Sequence, residues 1–396
     1  MIVALLAAAS TLTGADSLSL AAALARARAE RPRLRELRAA VAEARANLRI
    51  AGTVPNPTVT YSHSGSYPSD HLLVDQPLDW LVRRGPEREA AKFGILRAEA
   101  DSVQYGAELG RDVRVAFYAA LAARVTYGLT TAQAGIADSL SVLAARRLQA
   151  GDISLLEREQ IGQEALRANA LVSRAREAAR ASAAALVRAI AWTERAAPDL
   201  AGDLGAGLDT PPDTSVAAMT DLPVMRQARA DSAAAAALVR ATERARLPIP
   251  SIQAGADFSD PTISPPNHAQ SVLGLAIPLP VWNVGGGQVA AARARAEAQA
   301  ARTAETRLEL QRVLTEQRVL LVEAAIRASF ARDSLIPTAR RVRERVVRGF
   351  AAGDTDVLPV LDALRAEREA NLAFVQELFS YQEAVAGWYA LTGQDP

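Results

Sequence analysis

The residue types that carry most protein chemistry are scarce in this chain. There is no cysteine, which removes thiolate catalysis, disulfides and cysteine metal sites together. Three histidines, His63, His71 and His268, flank the loops of strand-like runs. Several copies arranged around an axis would supply a metal-ligand type, and solvated loop histidines satisfy the same pattern. Gly285-Gly286-Gly287 stands between a strand-like run and a helix-like one, where a phosphate loop would stand. It lacks the lysine and hydroxyl residue that handle phosphate and magnesium, so it reads as a turn. With no nucleophile elbow, paired carboxylates or metal-ligand spacing, the expectation is a protein that is not an enzyme and has no catalytic residue, metal or cofactor.

The elements around these residues are more informative. Leu273, Leu275, Ile277 and Leu279 alternate with Val272, Gly274, Ala276 and Pro278, the period of a strand with one apolar face. Beyond Asn283 and the three glycines the chain becomes rich in Ala, Arg and Glu, which favours helix. The same change occurs earlier, where Leu72, Val74, Gln76 and Leu78 alternate before Gly85 and Pro86. Each strand-to-helix turn carries a similar group, Pro77, Leu78 and Trp80 in one and Pro278, Leu279 and Trp282 in the other. Downstream, Ala150-Gly151-Asp152 resembles Ala352-Gly353-Asp354, and the Trp-to-Gly separation is 71 residues in both (151 − 80 and 353 − 282). Equal spacing with like residues at both ends indicates an internal duplication.

The domains follow from that duplication. Residues 1–15 read as a secretory signal peptide, with the apolar run from Ile2 to Ala9 as its core and small residues near Thr13 and Ala15 as its cleavage region; the basic leader is missing, which fits either a truncated signal or the beginning of a helix. Residues 16–197 form a first repeat with a helix, a strand hairpin over 54–80 and a long helical hairpin over 86–192. The Gly, Pro, Asp and Thr-rich stretch 198–223 reads as an inter-repeat linker or equatorial segment. Residues 224–396 form a second repeat with a helix, a hairpin over 249–282 and helices over 288–391, Pro337 lying within the first of these. The helix from Pro86 to about Gln149 would run ~90 Å at 1.5 Å per residue. Gly151 ends it, and Asp152 is placed to cap the next one.

Charge and hydropathy narrow the setting. Forty-five Lys and Arg against forty-four Asp and Glu leave a net charge of +1, so no field for nucleic acid is indicated. No run after the N-terminus reaches the ~20 apolar residues of a membrane-spanning helix, so entry into a membrane would have to use strands. Four strands cannot close a barrel, and an open sheet in lipid leaves unpaired amides. Three chains would supply twelve strands, an even number in the range of outer-membrane barrels. Trp80 and Trp282 fit an interfacial aromatic belt and equally fit packing at a helix start.

Duplicated strand hairpins and long helical hairpins in this order, Asn56-Pro57 entering the first strand, and the run from Ala352 to Leu358 followed by Leu361-Asp362-Ala363 resemble the TolC-like outer membrane efflux proteins over about Leu18 to Thr392. The resemblance implies a mainly α fold with a β-barrel part: a homotrimer with a twelve-stranded barrel in the outer membrane and a helical tunnel in the periplasm. It implies an exit duct for substrates handed over by an inner-membrane transporter and a periplasmic adaptor (membrane fusion) protein, in an efflux or type I secretion system. Asp362 falls on the position of a family pore carboxylate, while Pro359 occupies the place of another. Asp356 and Glu157 are further gate candidates. The turns at Gly151, Asp152, Gly353 and Asp354 become adaptor contacts, with helix capping the other reading of Asp354. Pro77, Trp80, Gly85, Pro278, Trp282 and Gly285 mark the strand-to-helix turns and the interface with outer-membrane lipid. The competing reading, a periplasmic or soluble coiled-coil adaptor or scaffold, accounts for the helices and leaves the duplicated strand hairpins unexplained.

Overall fold

The computed structural model describes residues 17–66, 68–194, 198–215, 219–258 and 269–393. The signal-peptide reading and the whole of the second hairpin's loop, with His268, lie outside them. In chain order the elements are β1 (Ser17–Ser19), α1 (Leu20–Glu30), α2 (Pro32–Ile50), β2 (Thr58–His63), β3 (Asp70–Pro77), α3 (Trp80–Ala150), α4 (Leu155–Ala189) and β4 (Asp199–Ala201), followed by α5 (Pro223–Arg244), β5 (Ser251–Phe258), β6 (Ala269–Ala276), α6 (Gly286–Phe330), α7 (Ile336–Ala352) and α8 (Val357–Thr392). None of the described helices is long and apolar enough to cross a membrane.

The described residues fall into two compact units, and each takes pieces from both sequence repeats. One comprises residues 35–103 and 218–310, the other residues 1–34, 104–217 and 311–396. Strand pairing explains the first. β2, β3, β5 and β6 form one antiparallel sheet in that order, so the hairpin of each repeat meets the other along β3 and β5. Gly255 sits at that seam, where a β-carbon would collide with the carbonyl oxygen of Leu72.

Helix α3 begins earlier than the sequence suggests. Gly85 and Pro86 make no turn; α3 starts at Trp80 and contains both. Proline has no N–H for the carbonyl four residues back. That carbonyl, on Val82, accepts a long 3.5 Å hydrogen bond from Arg244 Nη1 of α5 instead. Pro337 is handled differently. A π-helical segment, Ala331–Leu335, separates α6 from α7, and the Ile336 N–H reaches back five residues to Ala331 O. The proline thereby falls in the first turn of a new helix, where its missing N–H costs little.

In the other unit, α8 buries all but one face, its buried residues including Phe374, Leu378, Tyr381 and Trp388 while Asp362, Glu369, Gln376 and Glu383 stay exposed. Residues 198–215 pack against it, so much of the stretch read as a linker is part of the core. β4 pairs in parallel with β1, and Leu200, Leu204 and Leu208 are buried. Gln382 Nε2 donates to Leu204 O and Ala206 O at 2.9 and 2.8 Å, and the Tyr381 hydroxyl donates to Gly207 O at 2.7 Å. These side chains satisfy loop carbonyls that a strand or helix would have paired.

Candidate functional site

Two places concentrate the residues singled out by the sequence, one in each unit. The first is the four-stranded sheet. Directly paired residues share a face, so the register sorts every side chain. Rows Val59–Val74–Ala254–Leu273 and Tyr61–Leu72–Ala256–Ser271 lie on one face, joined by Ile252 and Leu275. That face is apolar and open: Leu273 is 83% exposed, and Val59, Tyr61 and Leu275 are also exposed. Rows Thr58–Asp75–Gln253–Gly274 and Ser62–His71–Asp257–Gln270 lie on the other, with Thr60–Leu73–Gly255–Val272 between them adding two aliphatic side chains to a mainly polar face.

The polar face is internally bonded. Asp75 Oδ2 accepts from Ser251 Oγ at 2.8 Å and from Gln253 Nε2 at 2.9 Å. His71 Nδ1 lies 2.8 Å from Asp257 Oδ1 across the β3–β5 seam. His63 is on the apolar face at its turn end, 2.9 Å from Asp70, which also accepts from the Tyr61 hydroxyl at 2.7 Å. Neither β2 nor β6 has a second neighbour among the described residues, leaving two open edges. An apolar face, a polar face and two free edges are what a segment of a membrane barrel must have.

The strand-to-helix turns differ between the copies. Pro77 ends β3, and Trp80 is half-buried at the first position of α3, with its Nε1 enclosed. Trp282 is 97% exposed. Pro278 precedes it in a segment without regular structure, and Gly285 adopts a φ of 71° that other residues resist. Its N–H donates to Asn283 Oδ1 at 2.9 Å, closing the turn. Duplicated tryptophans therefore stand in unlike surroundings, Trp80 as a packing residue and Trp282 open to whatever surrounds the sheet.

The second place is the pair of helical turns. Gly151 and Gly353 have φ of 80° and 88°. The Asp152 N–H donates to Arg147 O and the Asp354 N–H to Gly349 O, both at 2.9 Å. These backward bonds close both helices in the same Schellman arrangement. Asp152 and Asp354 thus complete the preceding helix, and the expectation that they cap the following one is corrected. The caps stand two residues on. Ser154 Oγ accepts from the Glu157 N–H, and the Glu157 carboxylate accepts from the Ser154 N–H at 2.7 Å, a reciprocal capping box. The Ser154 N–H, and after it the Ser154 hydroxyl donating to the same carboxylate oxygen at 2.7 Å, hold the Glu157 carboxyl below its ordinary value. In the second copy Asp356 is the cap position but makes no side-chain cap bond. Pro359, equivalent to Glu157, has no N–H for it to accept from.

The turns are joined by a residue that the sequence reading missed. Arg147 Nη1 donates to Phe350 O at 2.9 Å, and its guanidinium lies 4.8 Å from the Phe350 ring centre. Beneath them Leu140, Ala144, Ile161, Phe350, Val357, Val360 and Leu361 form one buried cluster. Leu155, Leu156 and Leu358 stay exposed beside the turns. Asp362 is 79% exposed, with Arg365 Nη1 at 3.9 Å. Arg365 belongs mainly to Glu164, which is 3% exposed and accepts from Arg365 Nη2 at 2.9 Å and Arg368 Nη1 at 2.8 Å. Burial works against the Glu164 charge, and the two arginines outweigh it, leaving the carboxyl below its ordinary value. No spacing rule pairs residues about 200 positions apart, so Glu164 carried no signal. Among the described residues no three metal-binding side chains cluster.

The sheet and the helical hairpins define the class: a membrane-barrel segment carried on long α-helical hairpins, the plan of an outer-membrane channel. Residues 217–394 match the family model for outer membrane efflux proteins. The cobalt-zinc-cadmium resistance protein CzcC of Cupriavidus metallidurans is 25% identical over 342 residues, covering 84% of this chain and 80% of the relative. Among solved structures, CusC superposes with a TM-score of 0.78 at 16% identity over 93% of this chain and 91% of that one. The outer membrane protein VceC of Vibrio cholerae gives 0.74 at 17% identity, over 93% and 95%. Over residues 217–394 the chain is similar to the outer membrane efflux proteins, and its fold is that of the solved outer-membrane channels. The relatives and solved structures it resembles are outer-membrane efflux channels with a periplasmic helical part.

Proposed function

We propose that three copies of this chain close their sheets into a twelve-stranded barrel, apolar face to lipid and polar face to a water-filled lumen. The observation that carries this is the sheet: four strands with sorted faces and two open edges satisfy their backbone only by pairing with further copies. A second feature supports the same partner. Val319, Val322, Ile326 and Phe330 recur at spacings of three and four on α6, and all are exposed, an apolar stripe that a neighbouring copy would cover.

In this reading the duct receives cargo at the helical turns, from an inner-membrane transporter through a periplasmic adaptor. Leu155, Leu156 and Leu358, beside Gly151, Asp152, Gly353 and Asp354, present the apolar side chains an adaptor would seat on. Asp362, exposed on α8 near its start, is the leading gate carboxylate. Asp356 and Glu157 lie closer to the turns, and Glu157 is engaged as a cap. Three copies of Asp362 around an axis would favour cations over anions. The curated relative's name is that of a cobalt-zinc-cadmium resistance protein, and divalent transition-metal cations are the cargo class proposed for this chain.

The test is to isolate outer membranes, purify the protein in detergent, and measure its mass and its single-channel conductance in a planar bilayer. A trimer that inserts and passes ions supports the duct. A protein soluble without detergent, monomeric or dimeric and without conductance, would make it a helical scaffold instead.

A further inference from the structure

His71 is set apart from the other described histidine by its face and its partner. It lies on β3, paired on one side with Ser62 and on the other with Asp257, on the polar face of the sheet. β3 and β5 are the two inner strands, each hydrogen-bonded on both sides, so the ring is carried on the best-held part of the sheet. An ionised carboxylate only accepts, so at 2.8 Å from Asp257 Oδ1 the imidazole Nδ1 must be the protonated nitrogen. In the neutral ring, that leaves the lone pair on Nε2. The side chain is 36% exposed, and the four strands contain no lysine or arginine to repel a cation. A carboxylate that fixes the tautomer, turns the ring and raises its basicity is the usual support of a metal-binding histidine.

We infer that His71, held by Asp257, is a ligand on the barrel wall for borderline divalent metal cations, of which zinc is representative, on their way out of the duct. The inference rests on the barrel reading above and assigns a residue to its cargo class. Among the described residues each chain offers one imidazole on this face, and water completes the metal's shell. Among the described residues no further histidine or carboxylate gathers with the pair to build a cage. Such a site binds weakly, which suits conduction: an ion must bind well enough to enter and loosely enough to leave. Imidazole nitrogen selects zinc, cobalt and cadmium over the oxygen-seeking calcium and magnesium. His63 makes a similar bond to Asp70, but on the apolar face, away from the lumen.

The test is zinc titration of single-channel current carried by potassium chloride. In the wild-type channel zinc should reduce the current and magnesium should not. His71→Asn places an amide nitrogen where Nδ1 was, keeping the donor to Asp257 while deleting Nε2; the zinc effect should vanish with the potassium conductance intact. Asp257→Asn should raise the half-blocking zinc concentration by about tenfold, and His63→Asn should change nothing. A wild-type channel that conducts but ignores zinc, or a His71→Asn channel blocked like wild type, overturns the site and leaves the duct standing. Absence of any channel overturns the duct and the site with it. If His71→Asn fails to insert, His71→Gln gives the same readout.

Discussion

Arg147 on the last turn of α3 holds the carbonyl of Phe350 on the last turn of α7, at 2.9 Å, while its guanidinium lies over the Phe350 ring. Phe350 is fully buried. Two helical turns from different repeats are therefore tied by one side chain, at the place where the proposed duct would admit cargo.

Arg147→Met keeps most of the apolar stem and removes the hydrogen bond and the charge. It should cost about 1.5–3 kcal/mol, the range for a hydrogen bond made by a charged group, and loosen both turns. Hydrogen exchange over residues 140–160 and 346–362 should speed up, and resting conductance should rise. Unchanged exchange at both turns would mean that the buried cluster alone holds them.

The sheet predicts opposite outcomes for adjacent residues. Leu273→Arg places a charge on the apolar face and should lower barrel insertion, by roughly 2–4 kcal/mol if the residue sits near the bilayer midplane. Val272→Arg, one position earlier on the polar face, should insert and shift ion selectivity toward anions. Heat-modifiable migration and bilayer recordings read the two effects. Equal insertion of both variants would remove the assignment of faces.

Asp362→Ala should reduce cation preference and raise conductance if three copies of this carboxylate narrow the duct. The change should leave thermal stability nearly untouched, since Asp362 is 79% exposed and its approach to Arg365 is a loose 3.9 Å. Reversal potentials under a salt gradient are the measurement, and identical values for variant and wild type would exclude it from the gate.

Glu164 gives the pH dependence. Its carboxyl is held below its ordinary value of 4.5 in the folded chain. A depressed carboxylate contributes stability above its unfolded value and loses it as pH falls through the folded one. Melting temperature should therefore drop below about pH 4.5. Glu164→Gln should flatten part of that limb and cost roughly 3 kcal/mol at neutral pH, because Arg365 and Arg368 keep their charges without their acceptor. A variant with the wild-type acid limb would place the acid sensitivity elsewhere.

The sequence by itself settled whatever depends on local pattern. Period-two runs marked β2, β3, β5 and β6, and long Ala, Arg and Glu-rich runs marked the helices, because both signals are written within a few residues of each other. Glycine at 151 and 353 marked the helix ends, since only glycine takes that backbone conformation without cost. Which Asp served as a cap was less legible: Asp152 and Asp354 follow those glycines so closely that their N–H groups finish the preceding helix. The helix was read as beginning at Pro86, whereas it runs back to Trp80, and Arg244, some 160 residues away, reaches the Val82 carbonyl that the proline leaves without its usual partner. Register, too, was decided in three dimensions. His71 and His63 look alike in the sequence, and only the pairing of β3 with β2 and β5 puts one on the polar face and the other on the apolar one. The same holds for Arg147 with Phe350 and for Glu164 with Arg365 and Arg368, pairs brought together from about 200 residues apart by packing of helices that each repeat encodes separately.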